Sequence, residues 1–123
     1  MTPSVTKEAP FQLPEQPVVT DIVAKYFRGL GEPTRLRILE LLAAGERSVG
    51  ALVLATGEPQ PKISNHLACL RWCGFVDSRR EHRTVYYRAG DERVLRIIQL
   101  ARGLLDDNAE HVAACRTIDG VGC

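Results

Sequence analysis

The chain lacks any apolar segment long enough to span a membrane. None of its 123 residues belong to a run approaching the roughly 18–20 apolar residues that cross a bilayer. Residues 1–17 also lack the apolar core of a secretory signal. These absences predict a cytoplasmic protein with no membrane partner. The length suits one domain, or one domain with tails.

The chain also has almost no net charge, because 16 Lys and Arg residues oppose 15 Asp and Glu residues to leave a formal charge of +1. That total hides an uneven distribution. Six basic and two acidic residues lie between Lys62 and Arg88, so this segment carries +4 and the rest of the chain −3. A polyanion such as DNA could bind the positive segment. Solvated hairpins are often basic as well, so this interpretation depends on the fold.

Catalytic motifs are absent too. The sequence has no nucleophile–base pair, no phosphate-binding loop and no motif that joins a metal ligand to an acid. Its three histidines, His66, His82 and His111, have no partners at a diagnostic spacing. We therefore expect neither an enzyme nor a small organic substrate.

Apolar residues recur at helical spacing in five segments, which glycines and capping residues separate. The predicted helices cover residues 18–30, 33–44, 48–56 and 59–73, followed by a last helix that Asp91 caps and that fades beyond Asn108. Between the fourth and fifth segments the period changes to two. The runs FVDSRR and TVYYRA, joined by EHR, predict a β-hairpin there.

Two short helices joined by a glycine-bearing turn form a helix-turn-helix arrangement, and a basic hairpin directly after them makes it a winged version. The sequence thus predicts a mainly α fold with a β-hairpin wing. We expect a flexible N-terminal arm over residues 1–17, the winged helix-turn-helix domain over residues 18–107, and a C-terminal tail over residues 108–123.

The second of the two short helices is the predicted recognition helix, with Ile63, Leu67 and Leu70 as its core stripe. Polar side chains off that stripe suit base edges and phosphates, and arginines of the wing suit phosphates or the minor groove. The candidate DNA-binding residues are Gln60, Lys62, Ser64, Asn65 and His66 in the helix and Arg79, Arg80 and Arg83 in the wing. A histidine beside a core leucine is often a buried, hydrogen-bonded packing residue, and this alternative stays open for His66.

Four cysteines remain to be explained. Cys69 and Cys73 are four residues apart on one predicted helix, so both project from the same face. A disulfide would distort that helix, because Cβ atoms at this spacing are about 5–6 Å apart. The pair suits a thiophilic ion such as Cd(II), Pb(II), Zn(II), Hg(II) or As(III), and the tail could add Cys115 and Cys123. The alternative is that Cys69 and Cys73 are small buried hydrophobes.

Three segments carry a family resemblance. GEPTRLRILELL, KISNHLACLRWCGFV and RREHRTVYYRA resemble the ArsR/SmtB family of metal-responsive winged-helix repressors, and the likeness covers roughly residues 18–107. The resemblance implies a homodimer with an interface formed by the first and last helices. It also implies binding to double-stranded operator DNA, with release when an inducer ion binds.

The metal sites that are common in this family are absent. The arsenic- and cadmium-type site has cysteines where this chain has Ser48 and Gly50. The zinc-type site on the last helix begins at Asp91, but here Arg93 follows, and later positions hold Leu104 and Asp107.

The remaining segment, HLACLRWCG, resembles a cadmium- and lead-sensing subgroup with two cysteines in the recognition helix and one in the tail. By that resemblance Cys69, Cys73 and Cys115 are the ligands, whereas Cys123 has no counterpart and is only an additional candidate. The main hypothesis is a repressor released by Cd(II) or Pb(II). The alternatives are an arsenite- or antimonite-responsive repressor that uses the same thiols, and a redox switch in which the cysteines oxidise.

Overall fold

The structure, a computed structural model, describes residues 17–115 and Ile118. The helices of this part are α1 (Pro17–Leu30), α2 (Pro33–Ala43), α3 (Val49–Thr56), α4 (Gln60–Trp72) and α5 (Glu92–Ala114). The strands are β1 (Arg47–Ser48), β2 (Val76–Glu81) and β3 (Thr84–Ala89). The predicted arm over residues 1–17 lies outside the described residues except for Pro17, and Cys123 lies outside them as well.

Local signals set the helix boundaries, as the sequence predicts. The Ser48 hydroxyl accepts a hydrogen bond from the N–H of Ala51 at 3.1 Å and so caps the start of α3. The Asp91 carboxylate caps α5 in the same way, accepting from the N–H of Arg93 at 2.8 Å. Gly57 ends α3 with a φ of 73°, in the left-handed region that glycine adopts without strain.

The hydrophobic core lies between α2, α3, α4, the start of α5 and the sheet. Ile63, Leu67 and Leu70, the stripe predicted from the sequence, are all completely or almost completely buried. They pack with Ile38, Leu39, Leu42, Leu52, Phe75, Val76, Val94 and Ile98. Burial of this stripe fixes the rotation of α4 about its own axis, so the opposite side of the helix faces solvent.

The wing is a hairpin with one additional short strand. Strands β2 and β3 pair antiparallel, with Val76 opposite Ala89 at one end and Glu81 opposite Thr84 at the other. Strand β1 pairs with β3, which gives the sheet order β1-β3-β2. The sequence analysis missed β1, because two residues are too few to show an alternating pattern. This strand ties the wing to the connection between α2 and α3.

Helix α5 is longer than the sequence analysis predicted. Residues 108–114, which were assigned to the tail, are helical, and Cys115 is the C-cap. The polar Asn108 interrupts the apolar stripe and so ended the predicted helix too early. Leu104 and Val112, four residues to either side, continue the helical spacing, and the alanines of the last turn favour a helix.

An apolar face on α1 and α5 remains exposed. Its large side chains are Val19, Val23, Tyr26, Phe27, Ile97, Leu100, Leu104, Leu105 and Val112. The two helices contribute to one surface, because Phe27 and Ile97 line the same grooves between them. We refer to these residues as the α1/α5 face. Among the described residues, no helix is both long enough and apolar enough to cross a membrane.

Gly90, between β3 and α5, lies where no side chain fits. A Cβ atom at this position would be 2.8 Å from the carbonyl oxygen of Gly74, a backbone atom that cannot rotate away. We expect Gly90→Ala to lower the free energy of unfolding by about 1–3 kcal/mol, measured by urea denaturation. Gly103→Ala is the control, because its Cβ meets no atom within 4 Å. The control should be neutral or stabilising, and equal destabilisation by both changes would contradict the steric argument.

Candidate functional site

Helix α4 presents one side to solvent, opposite its buried stripe. The exposed residues Pro61, Ser64, Asn65, Ala68 and Trp72 follow one another at helical spacing along this side. Trp72 is 91% exposed, which is unusual for the largest apolar side chain. We refer to this side as the solvent face of α4. Its polar groups, including those of Ser64 and Asn65, are free to contact a partner.

Another side of α4 carries the two cysteines. Lys62, His66, Cys69 and Cys73 follow one another at spacings of four, three and four residues, so they lie along one side of the helix. Cys69 is half-buried, whereas Cys73 is exposed at the C-cap, where its N–H donates to the carbonyl oxygen of Cys69 at 3.1 Å. We refer to this side as the thiol face. The structure brings together the two cysteines that the sequence placed on one face.

The surroundings of Cys73 change the pKa of its thiol. Partial burial raises the pKa of the Cys73 thiol, and the neighbouring Cys69 thiol raises it further, while the Arg35 guanidinium lowers it. A raised pKa keeps the Cys73 thiol protonated at neutral pH, so an ion that binds there must displace its proton. Thiophilic ions form strong bonds to such sulfur donors, so the pair is chemically suited to a soft metal.

Within residues 17–115, no third donor completes this pair in a single chain. Among the described residues, no group of three histidine, cysteine or carboxylate side chains is arranged to hold a metal ion. Cys115 is half-buried at the end of α5 and forms no such group with Cys69 and Cys73. The predicted fourth candidate, Cys123, lies outside the described residues. A third thiolate would therefore come from another part of the chain or from a second copy.

Arg35 of α2 connects the thiol face of α4 to α2 and α1. Its Nε donates a hydrogen bond to Nδ1 of His66 at 3.0 Å, and its Nη1 donates to the carbonyl oxygen of Gly29 at 3.2 Å. The other ring nitrogen of His66 lies 3.8 Å from a carboxylate oxygen of Glu32. Only 14% of the His66 side chain is exposed. The structure thus places His66 in the contact between α4 and α2, in accord with the packing alternative.

The other candidates on α4 are accessible. Gln60, Lys62, Ser64 and Asn65 are all exposed in the first half of the helix. The Lys62 ammonium lies 3.1 Å from a carboxylate oxygen of Glu58. An exposed ion pair of this kind contributes little stability, so the ammonium can exchange its partner for a phosphate.

Arg79 is held within the wing. Its guanidinium donates two hydrogen bonds of 2.8 Å to Glu46 and one of 2.6 Å to Glu81, and it lies 4.8 Å from the ring centre of Tyr86. The hydrogen bond from Arg79 lowers the pKa of the Glu46 carboxyl group. Arg79 therefore ties β2 to the connection between α2 and α3, and less of its charge is available to DNA than the sequence predicted.

Three other arginines keep their charge available. No described carboxylate forms an ion pair with Arg71, Arg80 or Arg83. Arg71 and Arg80 line one groove between the end of α4 and the wing, and Arg83 lies in the turn of the hairpin. The sequence analysis counted Arg71 in the basic segment but did not assign it to the site. Its assignment to the site requires the orientation of α4 relative to the wing, which the sequence does not show.

Comparisons with known proteins identify the family. The sequence model of the bacterial regulatory protein arsR family matches residues 32–78, from α2 into β2. Over 102 residues the chain is 42% identical to the probable mercury resistance operon repressor of Streptomyces lividans, and the match covers 83% of this chain and 82% of that repressor. The chain belongs to the arsR family.

Solved structures of similar proteins agree with this fold. One is the homodimeric winged helix-turn-helix DNA-binding domain of a possible ArsR-family regulator from Mycobacterium bovis. It is 37% identical, with a TM-score of 0.70 over 84% of this chain and 95% of that one. Rv0081 from Mycobacterium tuberculosis is 31% identical, with a TM-score of 0.72 over 81% of this chain and all of that one. The winged helix-turn-helix prediction is confirmed, and this ArsR-family chain is a transcriptional regulator and not an enzyme.

In this ArsR-family chain, the positions that correspond to two common metal sites hold no metal ligands. Ser48 caps α3, and Gly50 has no side chain that could bind a metal. Hydrogen bonds from Arg93 lower the pKa of Asp91 to about 2, and the two side chains form an ion pair at 2.8 Å. The first residue of the zinc-type pattern is thus occupied as a helix cap. With these two sites excluded, the candidate metal site in the described part of the chain is the thiol face of α4, which carries two neighbouring cysteines.

Proposed function

We propose that this chain is a homodimeric repressor that binds double-stranded operator DNA and is released when a thiophilic metal ion binds Cys69 and Cys73. The observation that carries the proposal is the location of both thiols on α4. The thiol face of this helix contacts α2, while its solvent face offers Ser64 and Asn65 to DNA. A change at the thiols therefore acts on the same helix that reads the operator.

The DNA surface follows from the orientation of α4. The solvent face of α4 lies in the major groove in this proposal, as recognition helices do. Arg71 and Arg80, which share a groove, and Arg83 in the turn of the wing contact the phosphates on either side. The proposed location is the cytoplasm, where the operator DNA lies.

The wing arginines provide a test of this DNA surface. We expect Arg80→Ala to weaken operator binding and to reduce the salt dependence of the affinity by about one phosphate contact. Arg79→Ala removes the same charge but should leave the salt dependence nearly unchanged, because that guanidinium is already paired with Glu46 and Glu81. Fluorescence anisotropy of a labelled operator at several salt concentrations measures the affinity and its salt dependence for both variants. An equal loss for the two variants would contradict the proposed division of roles.

The α1/α5 face supports the homodimer. Exposed apolar patches of this kind mark interaction surfaces, and the Mycobacterium bovis relative is described as homodimeric. A second copy packed on this face covers its apolar side chains.

The thiol face links ion binding to the orientation of α4. Cys69 and Cys73 would hold the ion, which supplies bonds that draw the two sulfur atoms towards a common centre. Cys73 is the C-cap of α4, and Arg35 secures the same face to α2 through His66. Convergence of the thiols therefore strains the end of α4 and its contact with α2. Two recognition helices in a dimer must match the spacing of two half-sites, so a tilt of each helix weakens operator binding.

The number of thiolates favours particular ions. Hg(II) is satisfied by two thiolates in a linear arrangement, and the thiol face of α4 provides two thiols. The name of the Streptomyces lividans relative, a mercury resistance operon repressor, supports the same ion. Cd(II) and Pb(II), the ions predicted from the sequence, prefer three or more thiolates and would need a third, such as that of Cys115, from elsewhere in the chain or from a second copy. Zn(II) and As(III) have the same requirement.

Operator release by a series of ions tests the proposal. A labelled operator duplex bound to the full-length protein is titrated with Hg(II), Cd(II), Pb(II), Zn(II), arsenite and antimonite, and separately with peroxide in the presence of a chelator. We expect Hg(II) to release the DNA at about one ion per thiol pair. Release by arsenite or antimonite alone would favour the metalloid alternative, and release by peroxide without metal would favour the redox switch. No release by any thiophilic ion would contradict the proposal.

A further inference from the structure

Trp72 is the last residue of α4, and its side chain is almost fully exposed. Tryptophan is usually well buried, and its indole suits interfaces because it combines a large apolar ring with an N–H donor. Trp72 lies on the solvent face of α4 and not on the α1/α5 face, so the proposed dimer does not cover it. A partner that binds the solvent face of α4 does cover it.

The position of Trp72 along α4 places it beyond the residues that reach base edges. Recognition helices contact the bases with their N-terminal residues, and Ser64 and Asn65 lie in the first half of α4. Trp72 follows Ser64 by eight residues, which is about 12 Å of helix rise and comparable to the width of the major groove. With Ser64 at the bases, Trp72 reaches the sugar–phosphate backbone at the wall of the groove.

The charge around the end of α4 suits the same partner. Arg71 directly precedes Trp72, and Arg80 of β2 shares a groove with Arg71. Among the described residues, no carboxylate forms an ion pair with either guanidinium. A DNA backbone brings phosphates to both arginines together with a sugar that can pack on the indole ring.

We propose that Trp72 is a positioning contact to the operator backbone, in which its ring packs on a deoxyribose and its Nε1–H donates a hydrogen bond to a phosphate oxygen. The inference rests on the proposed function, because it requires α4 to bind duplex DNA. Such a contact carries no sequence information and fixes the depth and tilt of α4 in the groove. Cys73 is the next residue, so an ion on the thiol face binds directly beside this contact.

Tryptophan fluorescence tests the contact. Trp72 is the only tryptophan of the chain, so the emission of the full-length protein reports on this residue alone. Quenching by acrylamide is measured in metal-free buffer, for the free protein and for its operator complex. We expect ready quenching in the free protein and protection in the complex. Protection in the free protein, as a second copy over Trp72 produces, overturns the inference, and so does a ring that stays accessible in the complex.

Variants at position 72 measure what the contact contributes to affinity. We expect Trp72→Ala to weaken binding about tenfold, equally for the operator and for a duplex of unrelated sequence. Trp72→Phe should recover part of the loss, because it keeps an aromatic ring and lacks the N–H. The salt dependence should stay unchanged, because no charge is removed. A weaker salt dependence would assign the loss to a displaced Arg71, and unequal losses on the two duplexes would assign base reading to Trp72. Either result overturns the inference.

Leu54→Ala is the matched control. Leu54 is 86% exposed, so this change also removes an exposed apolar side chain, but on α3. We expect the control to bind the operator normally, and a loss equal to that of Trp72→Ala would overturn the inference. Normal operator binding by the Trp72→Ala protein overturns the contact and leaves the repressor proposal intact. An unaltered protein that binds no operator contradicts the proposed function, and the inference with it.

Discussion

Replacement of Cys69 or Cys73 by serine is expected to abolish metal-induced release while leaving operator binding unchanged. A hydroxyl oxygen is a poor ligand for a soft ion, so either change removes half of the pair. Neither side chain belongs to the solvent face of α4, so the DNA contacts persist. In the unaltered protein a hundredfold loss of operator affinity requires about 2.7 kcal/mol of coupling between ion and DNA, a size that allosteric proteins reach.

Operator anisotropy with and without Hg(II) measures this effect, and Cys115→Ser is the matched control. The control should respond to Hg(II) as the unaltered protein does, because the pair on α4 is intact. If Cd(II) or Pb(II) also releases the unaltered protein, the control should lose that response, which would identify Cys115 as the third ligand. Normal release of a Cys69→Ser protein by thiophilic ions would rule out the thiol pair as the sensor.

Leu104→Glu is expected to convert the dimer into monomers and to lower operator affinity by at least about a hundredfold. Leu104 belongs to the α1/α5 face and is 62% exposed in the single chain, so the change places a charge in the proposed interface without disturbing the core. A monomer binds only one half-site. In the dimer, binding of the first recognition helix holds the second close to its own half-site, and the monomer loses this gain in effective concentration.

Light scattering after size-exclusion chromatography measures the mass, and operator anisotropy measures the affinity. Gln99→Glu is the matched control, because it alters the charge equally on the opposite side of α5 and should remain dimeric. Denaturation of both variants checks that the single chain still folds. A Leu104→Glu protein that stays dimeric and binds the operator normally would show that the interface lies elsewhere.

The helices, the wing and their order could be predicted from the sequence because their signals are local. Ser48 and Asp91 cap helices that begin at the next residue, and the stripe of Ile63, Leu67 and Leu70 repeats within one helix. The same locality explains the errors. Strand β1 depends on its pairing with β3, and the end of α5 was misplaced because one polar residue, Asn108, interrupted a stripe that continues beyond it.

The roles of individual polar side chains could not be predicted, because their partners are distant in the sequence. His66 is held by Arg35, 31 residues away, and Arg79 is held by Glu46, 33 residues away. Each was a candidate for DNA contact on residue type and position alone. In the structure, His66 and Arg79 are both hydrogen-bonded to other residues of the chain. Arg71, Arg80 and Arg83 remain available to a partner.

The sequence by itself determined that this chain has few features of an enzyme or a membrane protein, almost no net charge, and two cysteines on one face of a helix. Those properties depend on composition and on spacing within one helix. Only the tertiary structure decided what surrounds the two thiols: Arg35 and His66 on one side, an apolar groove on the other, and no third donor among the described residues. The physical reason is that long-range packing, which no local pattern encodes, sets the environment of a side chain.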